Sequence, residues 1–121
     1  MSYLLLIIEP VGQRATRSEA EGRAVYARMQ DFGATLAAQG KLKAVQSLAS
    51  LDGAVRVSLT EGKFQTLDGP FAEAKEMVGG FFLLDGVDRD EAIAIARRCP
   101  AAEWATVEVR ALAPCYVDGR R

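Results

Sequence analysis

The apolar pattern of these 121 residues predicts an α+β domain: a four-stranded antiparallel sheet, two helices on one of its faces and an inserted hairpin. Three observations carry the prediction. Short strand-like runs alternate with two longer helical patterns. Each helical pattern opens on Ser or Asp followed three residues later by Glu. Two of the strands are apolar at odd and even positions alike, as strands covered on both faces are.

Tyr3 to Glu9 reads as the first strand. The polar segment Gly12 to Arg17 leads to Ser18, which with Glu21 forms a capping box, and a helix follows. Val25, Met29, Phe32 and Leu36 recur at helical spacing as one apolar stripe, read as core rather than as a cofactor slot, and Gly40 ends the helix. Leu42 to Ala49 is a second strand. After the Asp52-Gly53 turn, Val55, Val57 and Leu59 alternate with Arg56 and Ser58, which predicts one dry and one wet face. Glu61-Gly62 turns the chain into Lys63 to Leu67, completing a hairpin. Gly80 to Asp85 is the next strand. Asp88 with Glu91 opens the second helix through another capping box; Ile93 and Ala96, with Ala92, Ile95 and Cys99, face inward until Pro100. Trp104 to Leu112 is the last strand. Pro10, Pro70, Pro100 and Pro114 punctuate changes of pattern without dividing the chain, so residues 1–121 form a single domain.

With the hairpin set aside, strand, helix, strand, strand, helix, strand is the order of a ferredoxin-like βαββαβ domain. That topology puts the Tyr3 and Gly80 strands in the middle, and these are the two with apolar residues on both faces. Two helices cover one face only. The other, apolar at its centre, requires a partner surface, and a homodimer through the sheet face supplies it.

Composition excludes several classes. At 50% hydrophobic and 26% charged residues the chain lies outside the regime of disorder. A net charge of -1, with small basic groups at Arg14/Arg17, Lys41/Lys43 and Arg120/Arg121, argues against direct nucleic-acid binding. The apolar run Tyr3 to Ile8 falls far short of the about 20 residues that cross a bilayer, so no membrane span is expected. Two widely spaced cysteines, Cys99 and Cys115, suit a reducing cytoplasm better than a disulfide framework. The absence of histidine removes imidazole from metal or acid-base sites, and no metal or other cofactor is expected.

The most specific stretch is Asp68-Gly69-Pro70-Phe71-Ala72-Glu73-Ala74-Lys75-Glu76, closed by Gly79-Gly80-Phe81-Phe82. It resembles the signature of the YCII-related proteins, in particular the branch named after its Asp-Gly-Pro-Phe (DGPF) motif, whose usual wording has threonine in place of Ala74. The resemblance runs from the Tyr3 strand to Thr106-Val107-Glu108-Val109-Arg110. It implies a dimeric α+β barrel. An Asp-His pair suggested as a catalytic centre in some smaller YCII-like proteins has no counterpart in this histidine-free chain. Relatives are often encoded beside, or fused to, extracytoplasmic-function sigma factors, which implies an alternative role as a non-enzymatic accessory module of such a system.

Within the motif, Asp68 admits two roles: a catalytic or substrate-facing carboxylate, or an acceptor for backbone N–H groups of its own turn, with Gly69 as cap and Pro70 opening a helical turn. Glu73, Lys75 and Glu76 can form a charged rim that contacts a ligand, or a solvated face. Tyr3 reads as core, Cys99 as inert and Cys115 as the more accessible thiol. Gly79-Gly80 lacks a phosphate-loop lysine and instead suggests close backbone approach at the start of a crowded strand. The function these readings support is binding of a small organic molecule in a barrel pocket, with room for weak enzymatic activity.

Overall fold

The computed structural model describes residues 1–116; Arg120 and Arg121, one of the basic groups above, lie outside them. In chain order the elements are β1 (Ser2–Pro10), α1 (Glu19–Ala38), β2 (Leu42–Ser47), β3 (Val55–Thr60), β4 (Lys63–Asp68), β5 (Glu76–Asp85), α2 (Arg89–Arg98) and β6 (Thr106–Ala111). One sheet has the order β2-β5-β1-β6, antiparallel throughout, and β3 pairs only with β4. The arrangement is compatible with the ferredoxin-like fold, with the two doubly apolar strands β1 and β5 in the middle.

Along β1 the odd residues Tyr3, Leu5, Ile7 and Glu9 are buried while Leu4, Leu6 and Ile8 are half-buried. Leu5 stands opposite Phe82 on one side and Val109 on the other, and Tyr3 opposite Leu84. This face packs against Leu36 of α1 and Ala92 and Ile95 of α2. Leu5, Leu36, Leu84 and Ile95 are fully buried, each contributing about 1.5–3 kcal/mol of transfer free energy. Ser18 and Glu21 form the expected capping box on α1. On α2 only half of one forms: Asp88 accepts from the Glu91 N–H at 2.8 Å, but the Glu91 carboxylate turns to Lys41.

Several boundaries depart from the sequence pattern. β5 begins at Glu76, well before Gly80, because Gly80 opposes Ile7 and Val78 opposes Ile8, leaving Gly79 as the extra residue of a bulge. The two glycines break the alternation and hide the strand's first half. β2 stops at Ser47, and β6 starts at Thr106 because Pro100–Glu103 forms a 3-10 turn. No helical turn opens at Pro70, which follows a cis peptide bond; Ala74 N–H instead donates to Phe71 O at 2.9 Å.

Two corrections concern burial. Every residue of β3 and β4 is exposed, so the apolar face of Val55, Val57, Leu59 and Phe64 has no cover from the described residues; Phe64 is 76% exposed. The α1 stripe is also not uniformly core. Leu36 is buried and Phe32 meets Phe82 edge to face at 5.1 Å, but Val25 and Met29 are only half-buried and border a cavity.

Candidate functional site

A cavity of about 850 Å³ lies between α1 and the helix-covered face of the sheet. Its origin is a mismatch of side-chain size along α1. At Gly33 the helix comes so close that an added Cβ would meet the Phe82 ring at 3.4 Å. Toward the N-terminus α1 offers Gly22 and Val25, and the sheet row beneath is Ile7 flanked by Gly80, with Ser47 beyond it. Small residues on both layers leave the space unfilled, and Met29, Phe82 and Trp104 complete apolar walls.

Glu9 and Arg14 line the cavity beside one another. Glu9 continues the inward phase of Tyr3, Leu5 and Ile7 and is 6% exposed, so its carboxylate requires a partner. Arg14 supplies a bidentate one: Nε donates to Oε2 at 2.9 Å and Nη2 to Oε1 at 2.8 Å. The same guanidinium donates from Nη1 to Leu48 O at 2.7 Å and from Nη2 to Gly79 O at 3.2 Å. Four donors of one side chain therefore tie the end of β1 to the end of β2 and the bulge of β5. Gly79 is required by this packing, since an added Cβ would overlap the Glu9 carboxylate and lie 2.9 Å from Arg14 Nη2. Close approach was expected of Gly79-Gly80; it occurs at a bulge within the strand rather than at its start.

Trp104 forms another part of the wall. The Arg17 guanidinium lies over its ring at 5.8 Å and Arg28 at 5.4 Å. Arg28 is engaged outside the cavity by Glu103, whose carboxyl it holds below the ordinary range, chiefly through their hydrogen bond. Gln13 donates to Trp104 O at 2.8 Å and accepts from Arg17 Nη2 at 3.2 Å, which steadies both residues.

The motif lies elsewhere. Asp68 ends β4 opposite Val55 and is exposed, and its carboxylate makes no hydrogen bond or ion pair among the described residues. Glu73, Lys75 and Glu76 are likewise exposed, and none of the four lines the cavity. The buried members of the motif are structural. Phe71 is 8% exposed, with Arg56 stacked over its ring at 3.8 Å. Gly69 N–H donates to Ala54 O at 2.7 Å, and a Cβ at Gly69 would overlap the Leu51 carbonyl. The motif thus anchors the root of the β3–β4 hairpin.

Tyr3 is core as read, and Cys99 is buried, its thiol pushed up by desolvation, while Cys115 is exposed. Among the described residues no three carboxylates or thiols gather as a metal site, and no helix is long and apolar enough to cross a membrane. Glu9, Arg14 and the cavity were missed at the level of sequence. A signal for Glu9 existed: a carboxylate in phase with three inward apolar residues, with arginine five residues on and a glycine pair in the facing strand.

The model of the YCII-related domain matches residues 1–115 of the chain. An uncharacterised protein of Rhizobium meliloti (strain 1021) is 32% identical over 115 residues, covering 93% of each chain.

Proposed function

The chain belongs to the YCII-related domain family, and we propose that it works as a homodimer binding a small organic molecule in the cavity beneath α1. The cavity carries this reading: its about 850 Å³ falls within the roughly 300–1,000 Å³ of small-molecule sites, and apolar walls end in a few fixed polar groups. We place the chain in the DGPF-motif branch of the family and in the cytoplasm, where its two free thiols are stable.

Two observations support dimerisation through the open sheet face into an α+β barrel. Leu4, Leu6, Ile8, Phe81 and Leu83 lie on the face opposite both helices. The chain exposes 8483 Å², against roughly 6,300 Å² for a compact monomer of 13.0 kDa. Any chemistry by Asp68, with Glu73, Lys75 and Glu76 around it, would take place on the surface at the hairpin root, outside the cavity.

One feature favours a second reading, a non-enzymatic accessory module linked to an extracytoplasmic-function sigma factor system. The hairpin presents Val57, Leu59 and Phe64 to solvent, a surface suited to a protein partner. The readings separate experimentally. Trp104, the only tryptophan, borders the cavity, so its emission should change when 2-naphthol binds in the micromolar range. Gly22→Leu, placed where a Cβ meets nothing within 4 Å, should obstruct the cavity and weaken that response without lowering Tm. No response in the wild type, or an undiminished one in Gly22→Leu, would leave the accessory-module reading ahead.

A further inference from the structure

We propose that the occupant of this cavity is a singly charged organic acid with a flat apolar body, its carboxylate received by Arg17. The inference rests on the small-molecule reading of the cavity and adds the charge of the ligand. Among the described residues four charged side chains line the cavity: Glu9, Arg14, Arg17 and Glu19. Glu9 and Arg14 neutralise each other through two hydrogen bonds. Glu19 is paired with Arg23 at 2.5 Å on the helix surface. Arg17 is left: among the described residues it makes no ion pair. The nearby Glu21 feels its charge, but the Glu21 carboxylate accepts the Ser18 N–H at 2.8 Å and is committed to the helix cap.

Arg17 is also pre-organised. Gln13 accepts one of its N–H groups and the Trp104 ring lies beneath the guanidinium, while its remaining donors have no partner among the described residues. A half-buried guanidinium over an aromatic plane, with free N–H groups beside an apolar cavity, suits a planar carboxylate bonded in its own plane. The body of the acid then lies along Ile7, Val25, Met29 and Phe82. A dianion is disfavoured, because among the described residues the one other cation on the wall, Arg14, is already occupied by Glu9, Leu48 O and Gly79 O.

The test compares 2-naphthoate with its uncharged isostere 2-naphthamide by calorimetric titration of the full chain at neutral pH and moderate salt. The naphthoate should bind at least about tenfold more tightly, the range expected of one charge-assisted hydrogen-bonded contact. Arg17→Gln should erase the preference while amide affinity stays within about twofold. Arg28→Gln, which removes an equal charge over the same ring but outside the cavity, should keep it. Equal affinities in the wild type, or a preference that survives Arg17→Gln, would overturn the inference yet leave the cavity reading intact. Failure of both probes to bind would overturn both.

Discussion

Replacing Gly79 with alanine adds a single methyl group, and the geometry of the Glu9–Arg14 pair sets its consequence. The backbone at Gly79 is not in the left-handed region, so alanine there carries no conformational strain. With nothing else in the way, Gly→Ala would stabilise the protein by about 0.4–1 kcal/mol by restricting the unfolded chain. Here the new Cβ would overlap a Glu9 carboxylate oxygen and lie 2.7 Å from Glu9 Cδ, so the carboxylate must leave its place. Breaking a buried ion pair costs about 3–5 kcal/mol. The Arg14 side chain is 38% exposed and can rehydrate, which brings the expected loss to about 2–4 kcal/mol. At this chain length that lowers Tm by roughly 8–16 °C. Urea unfolding of the two single variants and of the Glu9→Ala, Gly79→Ala double variant separates the causes. Once the carboxylate is gone, Gly79→Ala should cost less than about 0.5 kcal/mol, leaving a coupling of at least about 1.5 kcal/mol. Additive costs, or a stabilising Gly79→Ala single variant, would refute the account of the pair and of the glycine that admits it.

Light scattering at micromolar concentration should give twice the chain mass, and an interface of the proposed kind should bury at least about 2,000 Å² in total; a monomer would remove the barrel. With a thiol reagent at neutral pH, Cys115 should react rapidly and Cys99 only on unfolding; equal rates would contradict the burial that pushes the Cys99 thiol up. Glu103, Glu21 and Asp85 are held below their ordinary range by Arg28, Ser18 and Ser2 respectively, so their contributions are present above the unfolded carboxylate range and fall away on acidification through the folded values. Urea midpoints should accordingly decline below about pH 4.5, and less steeply in Arg28→Gln. Asp68→Asn and Asp68→Ala should each change stability by no more than about 0.5 kcal/mol, since the carboxylate bonds nothing among the described residues; a larger loss in the alanine variant alone would restore its role as a turn acceptor.

The sheet was legible because its determinants are local and periodic. Central strands need two apolar faces, edge strands tolerate alternation, and both patterns survive in β1, β5 and β6. The first half of β5 was not legible, since Gly79-Gly80 interrupts the period of two that marks a strand, and the reasons for the glycines lie on other strands, in Glu9 of β1 for Gly79 and the Gln46 carbonyl of β2 for Gly80. The hairpin was read correctly as two strands and incorrectly as half-dry: alternation reports that a face is apolar, not that the same chain covers it. The motif drew attention as the most specific stretch, yet Gly69 and Phe71 answer to packing at the hairpin root, and its charged members lie away from the cavity. A cavity is a property of two layers, set here by small residues on α1 meeting small residues on the sheet, and neither segment reveals it alone.

The burial of an ion pair beside that cavity requires its own explanation, because a well-packed apolar pair of similar volume is often equal or better for stability. The partners of Arg14 supply one. Its guanidinium bonds Glu9, Leu48 O and Gly79 O, fixing the ends of β1 and β2 and the bulge of β5 at set separations with directional contacts that apolar side chains lack. Apolar replacements for Glu9 and Arg14 would be free to lean inward over Ile7 and Val25 and take up the space, gaining burial by closing the cavity. The charged pair cannot lean inward without giving up the hydrogen bonds of the buried Glu9 carboxylate, at a cost well above what one extra apolar contact returns. The pair therefore resists collapse of the cavity it lines. It also leaves Arg17 as the cation on the wall without a carboxylate partner among the described residues, which is the observation behind the proposed acidic ligand.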